Sequence, residues 1–529
     1  MKTKTALMLA IMLAFVLCAL PRPANAGCTE IQSFLADKAI SVTCFHTDDL
    51  RVPPPPPLGT GPTPPVTPAD NSITTFADGT PLPGSTVVGS AFSYTPVTDL
   101  EKISIGPTPT STAVPGIQVE GWFADDPSGE ARFLLRFPDN WNSKLVVAGS
   151  SGTRSEFNGD WAWSDYVLPK GYAYASQNKG VLNLFFTSLG SATPPDASSC
   201  RLNPVSELWV HFYDNDLPGR PKPFTQWTQY MLETAALAQK AAKANYHHFP
   251  RRTYAVGTSN GGYQVRRAME EAPELFDGGV DWEGTFIGAL ENILVTLPPA
   301  IENFDAYVAS GYDPNSAAAK AIRAAGYPPD IVNTSVIPTD TLWLEYWTEF
   351  WEVTQCQWQK RFDPSWVTYT DGVGDITGTG TYDYYSRLIA NPSILPQILA
   401  VETTGRIKRP VITVAGTMDA LLPIKKQARA YEDRVLASRK HHEHCDHGCD
   451  DDHAAYRLYE VQNGNHIEAY TLLFPQLQLI QPHAQKAFDL LDKYVEQGKP
   501  LPPSQCIPKG GSIKHHPSQP GRCAELLAP

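Results

Sequence analysis

Charge is scarce in this sequence: Asp, Glu, Lys and Arg make up 18% of its 529 residues, below the roughly 25% common in soluble domains. Positive charge is the scarcer sign, with 42 Lys and Arg against 55 Asp and Glu and a net charge of −13. That balance argues against nucleic acid or an anionic membrane as the main partner. Apolar runs of bilayer length are missing after residue 26, and no internal repeat is found. Aromatic residues at 10% and a hydrophobic fraction of 42% supply ample core material, which excludes disorder throughout. The length suits one large elaborated domain or two ordinary ones.

Residues 1–26 have the three parts of an export signal: Lys2 and Lys4, an apolar stretch from Ala6 to Leu20, and Ala24-Asn25-Ala26 as a small-x-small cleavage site. A secreted or periplasmic protein is expected, with a mature charge of −16 once Lys2, Lys4 and Arg22 are removed. Eight cysteines remain after Cys18 leaves, an even count that predicts disulfides in an oxidising compartment. Proximity pairs Cys28 with Cys44, Cys445 with Cys449 and Cys506 with Cys523, leaving Cys200 and Cys356 for a long-range bridge. The prolines from Pro53 to Pro68 read as an extended linker or surface strap.

From about Ile117 a regular rhythm begins. Strands are expected at Ala131–Phe137, Lys144–Ala148 and Tyr172–Ser176, then a helix over Thr225–Asn245, a strand at Arg252–Val256 and a helix at Tyr263–Glu271. A strand at Pro410–Ala415, a helix at Ile424–Leu436, a strand at Ala455–Val461 and a closing helix within Phe474–Gln497 complete it. Alternating strands and helices predict an α/β fold, mostly parallel with helices on both faces. Between about 285 and 400 the rhythm is lost. The expected organisation is a signal peptide (1–26), an N-terminal segment with the proline-rich linker (27–116), a core from 117–284 and 401–500, a lid insertion (285–400) and a C-terminal tail (501–529).

Gly257-Thr258-Ser259-Asn260-Gly261 joins a strand directly to a helix, the context of a nucleophile elbow. Ser259 is the candidate nucleophile, and the backbone NH of Asn260 a candidate oxyanion donor. A serine needs a base, and the base needs an orienting acid, in the order Ser, acid, His. Asp419, after the strand 411–415, is the candidate acid, with Asp281 in reserve. His466, in the loop after the strand 456–461, is the candidate base. Ser151, in the small-residue loop Gly149-Ser150-Ser151-Gly152, is the candidate second oxyanion donor.

These residues resemble the tannase and feruloyl esterase family of α/β-hydrolases. The likeness is carried by Trp141-Asn142, by 170–176, and by Gly257 through Gly262. Further support comes from Pro273-Glu274-Leu275-Phe276-Asp277-Gly278 and the stretch from Arg409 to His466. The resemblance implies a Ser259, Asp419 and His466 triad, ester hydrolysis and a lid after the nucleophile region. The sequence departs from that family where cysteines flank the serine and histidine: Thr258 and Asn465 stand there instead. Secreted polyester and hydroxyalkanoate-oligomer hydrolases of the same superfamily are also similar.

Three features stand apart. Residues 441–453 hold five histidines, two cysteines and several acids; they read as a solvated loop with a small disulfide, with a metal site as the alternative. Residues 371–381 read as a plain loop, with calcium ligation as the alternative. Trp343, Trp347 and Trp351 step along one helix face, either as the insertion's own core or as an apolar wall that binds substrate. Arg266 and Arg267 are expected to face solvent. The combined expectation is an exported serine esterase acting on small or oligomeric esters, aromatic or hydroxyalkanoate, with no cofactor and no metal assigned. A secreted peptidase or amidase, or a non-catalytic metal-binding protein on a hydrolase scaffold, are the rivals.

Overall fold

The computed structural model describes residues 26–51, 112–126, 131–152, 156–181, 185–189, 199–201, 208–211, 223–333, 340–366, 382–440 and 455–529. The export signal, the proline run and the loops 371–381 and 441–453 lie outside these residues, apart from Ala26.

Thirteen strands are present among the described residues: β1 (Ala39–Thr47), β2 (Gly116–Phe123), β3 (Arg132–Pro138), β4 (Lys144–Gly149), β5 (Ala173–Gln177), β6 (Phe185–Leu189), β7 (Ser199–Arg201), β8 (Leu208–His211), β9 (Arg252–Thr258), β10 (Gly278–Trp282), β11 (Val411–Gly416), β12 (Tyr456–Val461) and β13 (Gln505–Ile507). Ten form one sheet in the order β1-β2-β3-β5-β4-β9-β10-β11-β12-β13, and β6, β8 and β7 form a small antiparallel sheet. The pairs from β1 to β5 along the large sheet are antiparallel, and every pair from β5 to β13 is parallel. Parallel strands covered on both faces must be apolar nearly throughout. Accordingly every residue of β4, β10 and β11 is buried.

One face carries the helices Thr225–Tyr246, Asn260–Glu271 and Ala428–Lys440, packed on Leu145, Val147, Ala255 and Ala415. The other carries Gln481–Gln497, packed on Val146, Tyr254, Val280, Ile412 and Val461. Helix starts and ends move by a few residues from the sequence reading, as expected where caps decide the boundary.

Between β10 and β11 the described chain is helical: Ile293–Ala309, Ala317–Ala324, a long helix from Leu342 to Phe362, Tyr384–Ala390 and Ile394–Val401. The long helix widens into a π-turn at Trp347–Trp351. This layer forms a third core with Tyr263, Met418, Ala420, Leu422, Ile467 and Phe474. It therefore sits on the loops that leave β11 and β12.

Three disulfides join Cys28 to Cys44, Cys200 to Cys356, and Cys506 to Cys523. Cys200–Cys356 ties β7 to the long helix across 156 residues of sequence. Cys445 and Cys449 fall outside the described residues. Residues 501–529, expected as a tail, instead add β13 to the sheet edge.

Candidate active site

β9 ends at Thr258, and the helix starts at Asn260, so the turn has one residue in which to reverse direction. Ser259 makes it with φ 58° and ψ −120°, a conformation that costs an L-residue about 1–3 kcal/mol. Surrounding bonds hold it there: Ser259 N donates to Trp282 O (2.9 Å), and Tyr263 N donates to Ser259 O (3.1 Å). The flanking glycines are required by space. A Cβ on Gly257 would strike the carbonyl of Gly261, and one on Gly261 would strike Gly149. Strand β4, strand β9 and the helix thus meet backbone to backbone beneath the serine.

His466 and Asp419 reach that serine from the ends of neighbouring strands. His466 Nε2 lies 3.1 Å from Ser259 Oγ, and His466 Nδ1 lies 2.8 Å from Asp419 Oδ2. A carboxylate facing Nδ1 assigns the proton to that nitrogen and leaves Nε2 able to accept from the serine hydroxyl. Asp419 Oδ1 accepts from the backbone NH groups of Leu421 (2.8 Å) and Leu422 (2.6 Å). One oxygen therefore caps the turn and the other faces the imidazole. Ser259, His466 and Asp419 are 7%, 5% and 1% exposed, a water-poor setting that strengthens each of these bonds.

The expected oxyanion donors differ in their surroundings. Asn260 opens its helix, so its NH has no acceptor within the helix; its side-chain Oδ1 accepts from Thr285 Oγ1 (3.0 Å). Ser151 N donates to Asn158 Oδ1 (2.7 Å), and Lys179 Nζ donates to Ser151 O while lying over the Trp227 ring. The Ser151 amide is thus engaged within its own loop.

The three tryptophans separate. Trp343 and Trp351 are fully buried in the core of the helical layer, Trp343 against Tyr307 and Trp351 against Phe304 and Tyr327. Trp351 Nε1 also donates to Ala420 O (2.7 Å), one residue beyond Asp419. Trp347 alone of the three keeps accessible surface, and it stacks on Phe304. The π-turn changes the angular step along this helix, which a constant four-residue spacing does not anticipate.

Two expectations are corrected. Arg266, expected at the surface, is fully buried and donates through Nε to Asp281 Oδ2 (2.6 Å), and Arg267 is buried as well. An arginine is kept inside by a carboxylate partner of matching burial. Asp281, the reserve acid, is committed there, and it also accepts from Thr413 Oγ1 and Gly284 N.

Two residues later stands a group the sequence reading passed over. Glu283 follows β10, is 3% exposed, and places Oε2 3.5 Å from His466 Nδ1. Its Oε1 accepts from Gly416 N (3.1 Å), while Oε2 has no hydrogen-bond partner. Burial, and then the Asp419 carboxylate beside it, hold the Glu283 carboxyl well above the usual range. The signal was the one used for Asp419, a carboxylate just past the carboxyl end of a parallel strand.

Tyr346 and Asn463 were likewise missed. Tyr346 Oη donates to Asn465 Oδ1 (2.9 Å) and accepts from Ile467 N (3.3 Å), linking the long helix to both neighbours of His466. Asn465, where the resembling family has cysteine, thus makes a polar tie. Asn463 Nδ2 donates to Ala528 O (2.9 Å), and Ala528 N donates to Asn463 Oδ1 (2.7 Å). Thr417 Oγ1 donates to Leu526 O and accepts from Asn463 N (2.9 Å).

For metal binding, Glu283, Asp419 and His466 are the one group among the described residues whose donor atoms all fall within 4.8 Å of one another. A cation there would displace the proton that Nδ1 shares with Asp419. No helix among the described residues is long and apolar enough to cross a membrane.

A largely parallel sheet with β4 and β5 exchanged in order, and a strained serine between strand and helix, define the α/β-hydrolase fold. Residues 385–520 match the 3HB-oligomer hydrolase family. A D-(-)-3-hydroxybutyrate oligomer hydrolase from Burkholderia thailandensis is 31% identical over 120 residues, 21% of this chain and 16% of that protein. Its counterpart from Burkholderia mallei is 31% identical over 110 residues, 20% of this chain and 14% of that protein. The match thus spans under a fifth of these relatives' length. Among solved structures, feruloyl esterase B from Aspergillus oryzae overlays with a TM-score of 0.43 at 13% identity, covering 74% of this chain and 83% of that one. Tannin acyl hydrolase from Aspergillus niger gives 0.41 at 13% identity, covering 74% and 80%.

Proposed function

We propose that this chain is an exported serine esterase that hydrolyses carboxylic esters, with short 3-hydroxyalkanoate oligomers as the foremost substrates and aromatic esters as a second class. The observation that carries the reading is the hydrogen-bonded series Asp419–His466–Ser259 at a strand-to-helix elbow. In this mechanism Ser259 Oγ attacks the ester carbonyl as its proton passes to His466 Nε2. The developing oxyanion lies toward the NH of Asn260. His466 then protonates the leaving alkoxide, and water, deprotonated by the same nitrogen, releases the acid from the acyl-enzyme. Asp419 keeps the proton of the resting imidazole on Nδ1 and stabilises the imidazolium.

The oligomer preference is supported by the partial likeness to hydroxybutyrate oligomer hydrolases. Export is supported by the three disulfides and by the signal-like start of the sequence. The reading takes the helices between β10 and β11 as a lid, supported by their packing against Met418, Ala420 and Ile467, and takes the partly exposed Trp347 as the ring that meets substrate. Turnover of hydroxybutyrate dimers and trimers, nitrophenyl esters and peptide anilides by the exported protein tests the reading. Ester cleavage that Ser259→Ala lowers to a residue of about 10³-fold over water is expected. Faster cleavage of anilides than of every ester would replace esterase by peptidase.

A further inference from the structure

Asp419 already faces His466 Nδ1 at 2.8 Å, yet a second carboxyl oxygen lies 3.5 Å from the same nitrogen. Glu283 is carried there by the sheet. Trp282 is in register with Val414, Glu283 N donates to Val414 O (2.8 Å), and Gly416 N fixes Oε1. These bonds leave Oε2 aimed at the imidazole and unpartnered. A buried polar atom without a partner is a cost to folding that an apolar side chain at this position would avoid.

We propose that Glu283 is a positioning residue: a second acid beside Asp419 that becomes the orienting carboxylate of His466 when the charge of Asp419 is removed. The inference rests on the serine-esterase reading above. In the native site burial and the Asp419 carboxylate favour the protonated form of Glu283, and Asp419 accepts from Nδ1–H. Neutralising Asp419 as asparagine places an amide beside the imidazole, which favours the wrong tautomer. It also removes the neighbouring negative charge that opposes ionisation of Glu283. Glu283 then releases its proton to solvent, and Oε2 accepts from Nδ1–H, restoring a basic Nε2. The groups facing Glu283 are Asp419 and Glu468, which oppose its ionisation, the amide of Gly416 and the Trp282 side chain, which favour it, and Tyr346 and His466.

The test is kcat/KM against pH on one soluble ester for the full chain and for Asp419→Asn, Glu283→Gln and the double variant, with Ser259→Ala alongside. A triad left without its acid loses about 10⁴-fold, so Asp419→Asn should lose on the order of 10²-fold, and the double variant the full amount. Asp419→Asn activity should also climb with pH where the native profile is flat, as Glu283 deprotonates, and a merely structural Glu283 would not give that climb. Independent, additive losses, or no climb, would overturn the proposal. Should Glu283→Gln lower the unfolding midpoint too far for assay, the profile of Asp419→Asn alone decides. Turnover surviving Ser259→Ala would remove the esterase reading itself. Loss in Ser259→Ala with additive acids would remove only the role of Glu283.

Discussion

Ser259, Asp419 and His466 each stand just past the carboxyl end of a parallel strand, and that placement made them readable. Ligand chemistry in open α/β sheets gathers at those ends, so a serine, an acid and a histidine in the right order are conspicuous in one dimension. Glu283 has the same placement, yet its approach to His466 depends on the register between β10 and β11, which no linear pattern displays. Asp281 was the reserve acid because it lies near the same strand end; its side chain is taken by Arg266, on a helix packed against the sheet. If Ser259 and His466 act as one unit, their losses will not add. Ser259→Ala, His466→Ala and the double variant should fall to nearly the same residual kcat. A double variant slower than either single by the product of their losses would show two separate contributions.

At the scale of elements, the long helix bears on the site through several polar ties. Tyr346 holds Asn465, Trp351 holds Ala420, and Tyr470 Oη donates to Glu349 Oε2 (2.6 Å). Burial, then Asp340 and Glu349 nearby, raise the Glu345 carboxyl to about 8. The unfolded carboxyl loses its proton near 4.5, so between 4.5 and about 8 the unfolded chain binds fewer protons than the folded one. This contribution is therefore full below pH 4.5 and is lost as pH rises through about 8. Unfolding midpoints from pH 6 to 9 should decline, and those of Glu345→Gln should decline less; parallel curves would show that Glu345 keeps its charge when folded. None of this was legible beforehand. Repeating tryptophans announced a helix, but its π-turn and the approach of Asp340 and Glu349 to Glu345 show only in three dimensions. The core strands, by contrast, were readable because a strand buried on both faces must be apolar at nearly every position.

For the molecule as a whole, the last residues serve the site at its centre. Residues 501–529 gave no periodic signal, because they are irregular apart from β13, and residues 525–528 bond to loops over sixty positions earlier. Cys506–Cys523 fixes their course, and Glu525, Leu526 and Ala528 then bond to Gln462, Thr417 and Asn463. Those three partners precede His466 and Asp419 by only a few residues. Deleting residues 524–529 should lower kcat by about 10-fold or more, since a 1 Å displacement of catalytic groups can cost 100-fold, while β13 and the unfolding midpoint change little. An unchanged kcat in the shortened chain would show that the loops hold themselves.

That latch gives the protein a built-in order of events. A ribosome makes Ser259 long before it makes Leu526, so a chain still under construction owns its nucleophile without the struts that steady its acid and base. The Cys506–Cys523 bond adds a second requirement, since it forms only where thiols are oxidised. Full steadying of the acid and base would thus wait both for Leu526 to be made and for this bond to close. Full-length protein kept reduced should be slow and should gain speed as the Cys506–Cys523 bond forms; equal rates in both states would leave the timing to something else.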